Sequence, residues 1–449
     1  MNFIIESTTD ILNSTGGIAL VGKIFQDIGL HFESDTVLKS AEKSILRILA
    51  GLLTQGRSSF AEVSLLANDP LFQKALNLER VYAPETVRIY LDRWAGKGNE
   101  KLYEHVLALL GQSNVNLIKS VSLSRIRTKN GNYVPVDIDV SPMDNSNTKK
   151  EAVGWTYKCF DGYSPIFSYI GTEGYMLDCE LRPGQQNCQK GTPKFLRNTM
   201  RMVDELNLSD SVLFRLDSGN DAFDNLKLLL KSPYYFVIKK NRRTEKREDW
   251  LRIAQERGRV EEQRAGKTVY TGVLRGQHPK ASEKDALPDI NQIFRITERS
   301  IDRNGNLLLF PDIEVELYWS NLDETPEKVI ELYHGHATSE QFHSELKSDM
   351  DVERLPSGKF KVNSVILHLA MIAFNTLRKT GQSAMGYPED LPYQHTGSRR
   401  PQRKRLRKVM DDLMRISCRL VYHARRWIMK FYIGDPWYPV FRKIYEGFG

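Results

Sequence analysis

Apolar residues recur at helical spacing through roughly the first 120 positions of the chain. Ile45, Ile48, Leu49 and Leu52 form one such face, and Val87, Tyr90, Leu91 and Trp94 form another. The second of these helices opens on Ala83-Pro84-Glu85-Thr86, where a proline suits the first helical turn. Its outer side carries Arg88, Arg93 and Lys97, a basic face that fits either a polyanion or plain water.

From Tyr133 the period changes to two. Val134, Val136, Ile138 and Val140 alternate with Pro135, Asp137, Asp139 and Ser141, which predicts a strand. Runs 165–170 and 175–181 are strand-like and are separated by Gly171-Thr172-Glu173-Gly174, which predicts a hairpin. A helix is expected over 195–206, a strand over 211–217, a short helix after it, and another strand over 234–238. Three strands, a helix, a strand, a helix and a strand is the order of a ribonuclease-H-like core.

Between 240 and 311 this rhythm breaks. A charged helical piece precedes strand-like runs at 268–274, 292–299 and 307–310, so a β-rich insertion is expected there. A further strand over 313–319 leads into a helical segment from Pro326 that contains Glu340, followed by an apolar helix at 362–377. The fold class expected is α/β: a mixed-sheet, ribonuclease-H-like core with a β-rich insertion, plus helical N-terminal and C-terminal regions.

Bulk properties constrain this picture in a few places only. A chain of 449 residues exceeds what one core usually organises. The longest apolar run, 365–374, is shorter than a bilayer requires and carries His368, so no membrane association is expected. The first twenty-odd residues include Glu6 and Asp10 and do not read as a secretion signal, so the expected address is cytoplasmic. The four cysteines lie far apart without zinc-finger spacing. A net charge of +8 favours a polyanionic partner but is modest for this length.

Three constellations carry candidate chemistry. In Val136-Asp137-Ile138-Asp139, period two places both carboxylates on one side of an apolar strand, where they repel unless a cation neutralises them; an edge strand whose polar face meets water is the alternative. In Leu213-Phe-Arg-Leu-Asp217-Ser-Gly, an apolar strand ends in an aspartate, which suits ligand binding but, taken alone, slightly better suits capping of the next helix. In the third, Tyr333, His336, Glu340 and Lys347 fall within roughly a 60° arc of a helix, one polar ridge that could bind a cation and phosphate oxygens or simply face water.

Taken together, these residues resemble the DDE transposases of bacterial insertion sequences that bear the signature Y-xx-R-xxx-E-xxxxxx-K. The resemblance runs nearly end to end and is strongest at 137–151 (DIDVSPMDNSNTKKE), at 214–221 (FRLDSGND), and in Tyr333, Glu340 and Lys347. It implies that Asp139, Asp217 and Glu340 are the catalytic, metal-binding carboxylates, with Asp137 as the competing first one. The Asp-x-Ser arrangement around Asp139 favours it over Asp137. One departure is that His336 stands where the signature has arginine, replacing a permanent cation with a ring expected to be largely neutral at physiological pH.

The resemblance further implies two Mg²⁺ or Mn²⁺ ions per site, cleavage of double-stranded DNA at terminal inverted repeats, transfer of the 3′-hydroxyl ends to target DNA, and a homodimer in the synaptic complex. Tyr333, His336 and Lys347 would contact DNA, as would Arg88. So would Arg399, Arg400, Arg403, Lys404, Arg405 and Arg407 of a run with seven cations in ten residues and no acid. Trp319 or Trp250 would stack on a flipped base unless, as is commoner, each belongs to the core. The domains expected are a helical DNA-binding region at 1–125, the core at 126–240, the insertion at 241–311, the core with its Glu helix at 312–380, and a basic helical region at 381–449. Two other readings are a catalytically silent DNA-binding relative and a metal-dependent nuclease of the same fold.

Overall fold

A computed structural model describes residues 3–277, 279, 290–302, 304–393 and 401–448. The catalytic half is organised by five strands: β1 (Asn132–Val140), β2 (Ile166–Ile170), β3 (Tyr175–Glu180), β4 (Ser211–Leu216) and β5 (Tyr235–Lys239). They lie in the spatial order β3-β2-β1-β4-β5. β1, β2 and β3 form an antiparallel meander, whereas β4 is parallel to β1 and β5 to β4. Parallel neighbours need crossovers, supplied by the helices Thr192–Leu206 and Phe223–Leu230. This is the ribonuclease-H-like topology that the chain's alternating periods predict.

The insertion departs from expectation in how it joins the core. Strands β6 (Arg259–Arg264), β7 (Lys267–Gln277), β8 (Ile290–Ile301) and β9 (Leu307–Ser320) continue the same sheet, with β9 antiparallel to β5 through Val237 opposite Ser320. The expected break at 311/312 therefore falls inside one continuous strand. Pro311 lies in that strand and cannot donate to a ladder. In the structure it sits beside the register irregularity between Arg299 and Ile301, where the missing donor is tolerated. Helix Arg247–Arg257 packs Trp250 and Ala254 onto Tyr270, Phe294, Ile296 and Leu317, giving the insertion its own small core.

The apolar helix near the end is longer than its sequence pattern predicts. It runs Phe360–Met385, passes a length-and-composition test for a membrane span, and has 83% of its most apolar window buried inside the protein. It serves as the central axle: its faces meet the helices Ser40–Leu53, Pro84–Ala95 and Glu100–Lys119 as well as β3.

The C-terminal region is not helical throughout, contrary to expectation. Cys418–His423 and Arg426–Phe431 form a hairpin that adds Ile11–Asn13 as a third strand, and the helix Tyr438–Gly447 follows. The two-residue turn is Ala424-Arg425 with φ of 48° and 61°. Such a turn normally advertises itself through Asn-Gly or Asp-Gly; here neither appears, so no local signal marks the turn.

Candidate active site

Asp137 and Asp139 share a face of β1 but have different surroundings. Asp137 is 1% exposed, and both its oxygens are taken: Arg215 Nε donates to Oδ1 at 2.7 Å and Nη2 to Oδ2 at 2.6 Å, and His336 Nδ1 lies 2.9 Å from Oδ1. Burial opposes its ionisation, but the Arg215 charge and the His336 contact outweigh it and hold the carboxyl below its usual range. Gly335 permits this pairing, because a Cβ there would stand 2.4 Å from Arg215 Nη1. The internal ion pair leaves Asp137 without a free oxygen, so it is corrected from competing metal ligand to structural partner. The cation that neutralises it is a guanidinium.

Asp139, two residues on, opens onto a cleft of about 750 Å³ that is also lined by Asp217, Tyr333, His336, Glu340 and Lys347. Its Oδ1 accepts from the Val140 backbone N–H at 2.8 Å and its Oδ2 lies 3.2 Å from His343 Nε2. Burial would raise its pKa, but the His343 hydrogen bond and neighbouring ring charges keep it low. Asp217 follows β4 directly. Because Ile138 is in register with Leu216, the next step along each strand brings Asp139 and Asp217 side by side. Burial raises the Asp217 pKa and the charge of Asp139 raises it further. Its carboxylate accepts from Asn220 Nδ2 at 2.6 Å and is also stabilised by the Gly219 backbone N–H, at the N-cap position of the short 3₁₀ turn Ser218–Asn220.

Glu340 reaches the same cleft from the opposite wall and is exposed. The segment that carries it is not the single helix expected. Helix Pro326–His334 gives way to a 3₁₀ turn over Gly335–Thr338, then helix Ser339–Ser344 and a π-turn over Glu345–Asp349. The four signature positions still face one cleft, because the interruptions re-aim the helix without reversing it. Tyr333 packs its ring 4.9 Å from Tyr318, and burial followed by the charges of Asp217 and Asp139 raises its pKa, so its phenol stays protonated.

Several lining residues escaped sequence analysis. His343 is buried between Asp139 and the Tyr169 hydroxyl, which lies 3.1 Å from its Nδ1. Burial lowers its pKa, which fits a neutral ring that donates from Nε2 to Asp139 and accepts at Nδ1 from Tyr169. Its position three residues after Glu340 was the available signal, since i and i+3 share a helix face. Tyr157 and Lys158 enter from the loop after Gly154–Trp155, and Tyr157 donates to the Val140 carbonyl at 2.9 Å. No periodicity marks such a loop.

The donor set suits a hard divalent ion. Asp139, Asp217 and Glu340 offer only oxygen, and the repulsion between the two aspartates is one that a cation relieves. The three line one cleft without closing into a ready-made cage: among the described residues, no group of three or more His, Cys, Asp or Glu is placed to hold a metal ion.

Comparison with protein families matches residues 5–448 to the family described as Transposase DDE domain group 1. The chain belongs to this family. No curated protein matches it. Among solved structures, a chain of the piggyBac transposase synaptic complex with hairpin DNA, determined by cryo-EM, is 10% identical with a TM-score of 0.41, covering 90% of this chain and 80% of that one. Membership in a DDE transposase family implies divalent-ion chemistry in general, in keeping with the oxygen-only donor set.

Burial penalises a charged His336, yet the hydrogen bond and charge of Asp137 raise its pKa above the ordinary imidazole value. Lys347 is half-buried and donates to the Pro142 carbonyl, with burial lowering its pKa.

Most of the peripheral residues expected on DNA are engaged within the protein. Arg403 pairs with Glu345 at 3.4 Å and Lys404 with Asp412 at 2.7 Å, both largely buried, and Arg405 pairs with Asp349 at 2.8 Å. Arg407 donates to the Ser348 carbonyl at 3.0 Å. Among the described residues Arg403, Arg405 and Arg407 thus clasp the turn that follows Glu340, with Arg405 and Arg407 keeping about half of their side chains in solvent. Arg399 and Arg400 lie outside the described residues. Arg88 pairs with Glu85 at 2.9 Å and keeps about half its side chain in solvent, at 48% exposure. Trp250 and Trp319 are each 6% exposed and share Lys240 over their rings, so both belong to the core.

Proposed function

We propose that this chain is the transposase of a bacterial insertion sequence. It binds the element's terminal inverted repeats as double-stranded DNA, cuts at the ends, and joins the freed 3′-hydroxyls to target DNA in the cytoplasm. The observation that supports this reading is that Asp139, Asp217 and Glu340 line one cleft with Lys347, Lys158 and Tyr333.

Asp139, Asp217 and Glu340 would hold two Mg²⁺ or Mn²⁺ ions. When bound, such ions generate a reactive oxygen nucleophile near neutral pH and offset charge on the scissile phosphate. The protein's own groups prepare that site. His343 fixes the orientation of Asp139, and Asn220 that of Asp217. The Lys347 and Lys158 ammonium groups offer point charges to phosphate oxygens, and the protonated Tyr333 phenol offers a hydrogen-bond donor. No side chain serves as the attacking group, so water can cut first and a DNA 3′-hydroxyl can attack next in one pocket. Joining two ends at once calls for a homodimer.

The test uses purified full-length protein, Mg²⁺ or Mn²⁺, and DNA that carries the repeats flanking the gene. Cleavage and strand transfer are expected. Asp217→Asn should abolish both while end binding survives, a loss larger than the roughly 10–100-fold typical of an outer-shell partner. Cleavage that persists in this variant overturns the site. Hydrolysis without joining identifies a nuclease of the same fold, and specific binding without either identifies a catalytically silent relative.

A further inference from the structure

We propose that the C-terminal hairpin, Cys418–His423 with Arg426–Phe431, is a second DNA-contacting element that docks on duplex DNA through its outward face and tip. This rests on the reading of the chain as an enzyme acting on DNA.

Charge is the first observation. Between Asp412 and Asp435 there is no acidic residue, while Arg415, Arg419, Arg425, Arg426 and Lys430 all fall there. The register then sorts the side chains. Cys418, Leu420, Met429 and Phe431 point inward and join the main core, whereas Arg419, His423, Arg426 and Lys430 share the other face. On that face Arg419 stands opposite Lys430, and His423 opposite Arg426. Like charges directly opposed across a ladder destabilise it. Arg419 is relieved by Asp10 at 2.6 Å. Arg425, Arg426 and Lys430 have no ion pair among the described residues, unlike Arg403, Lys404 and Arg405.

The tip adds a second, independent observation. Ala424 and Arg425 both adopt positive φ, a conformation that glycine or asparagine would hold with less strain, so a cation is kept at the apex against the backbone's preference. Beside it, Tyr422 and Trp427 form an exposed ring pair with centroids 4.9 Å apart. A two-stranded ribbon fits the major groove of B-DNA, where apex cations and flanking rings meet phosphates and base edges. An acidic lipid surface would also attract the cations. It would need a continuous apolar face as well, whereas Leu420, Met429 and Phe431 are turned toward the core and the exposed Tyr422 and Trp427 lie on the opposite face of the ribbon from the exposed Ile428.

The experiment compares full-length protein with the variant Arg425→Ala/Arg426→Ala/Lys430→Ala for binding to a fluorescent duplex of about 30 base pairs across a salt series. The variant should lose more than about tenfold in affinity near 0.1 M salt, and its log K against log salt should be shallower by about three. Arg425→Lys/Arg426→Lys should retain most of the binding, which separates charge from folding. Unchanged affinity and slope in the alanine variant overturn the proposal. So does hairpin-dependent binding of anionic phospholipid vesicles with no hairpin dependence on DNA. The two readings fail separately: a wild type that never cuts DNA but binds it through this hairpin sinks only the transposase function, and active cleavage with a dispensable hairpin sinks only this inference.

Discussion

Asp137 and Asp139 show how much two positions on one strand face can differ. Each would repel the other as a bare carboxylate, and the fold resolves this by giving Asp137 a buried guanidinium and leaving Asp139 open to the cleft. What keeps Asp139 oriented is the chain from Tyr169 through His343. His343→Ala should therefore lower DNA cleavage by roughly 10–100-fold while leaving duplex binding unchanged, as expected of a partner that positions a metal ligand. A cleavage rate equal to wild type, measured at saturating metal, would show that Asp139 needs no such support. Asp139, which the Asp-x-Ser pattern favours through the family resemblance, opens onto the cleft, but nothing local in the sequence announced Arg215 or His343 as neighbours. Those contacts join residues 78 and 204 positions apart in the chain.

Among the elements, the turn between β2 and β3 was legible from its two glycines, yet the reason for the second is tertiary. Gly174 has φ of 72°, and a Cβ there would stand 2.1 Å from the Phe342 ring, two residues from Glu340. Gly174→Ala should cost about 1–3 kcal/mol, from the left-handed backbone and the clash together, and should depress cleavage by pushing the Glu340 segment away. Chemical denaturation and a cleavage assay on the same preparation check both parts; an unchanged stability would mean that the ring yields freely. The Glu340 segment itself was readable as helical by periodicity, whereas its 3₁₀ and π interruptions were not. They reflect what the segment packs against, including Arg378 on Glu345 and Arg215 on the Leu332 carbonyl.

The whole molecule is tied together by the axle helix and by what the C-terminal run returns to grip. Arg378, fully buried on that helix, meets Glu345 at 2.9 Å, and Glu345 in turn accepts from the Leu406 backbone N–H at 3.1 Å and pairs with Arg403. Arg378→Ala should destabilise the protein by up to about 3–5 kcal/mol, since it leaves the buried Glu345 carboxylate with only Arg403 and the Leu406 N–H, and removing Glu345 as well should restore part of the loss. Equilibrium unfolding of the single and double variants measures this. Additive losses would mean that the two side chains act independently. The N-terminal and C-terminal regions are likewise one unit, because Ile11–Asn13 pairs with the hairpin and Lys23 Nζ donates to the Tyr445 carbonyl at 2.8 Å.

By itself the sequence carried the core strand order, because periods of two and 3.6 are local properties, whereas Asp139, Asp217 and Glu340 stood out only through the family resemblance, since their spacing alone fits a polar face or a helix cap as well. It could not decide which cations neutralise which acids. Arg403, Lys404 and Arg405 read as an open basic run, while Arg425 and Arg426 drew no notice; only the folded chain shows the first group paired with carboxylates, Arg403 and Lys404 largely buried, and the second exposed without an ion pair among the described residues. Charge pairing acts over a few ångströms in space, between residues that the chain itself keeps far apart.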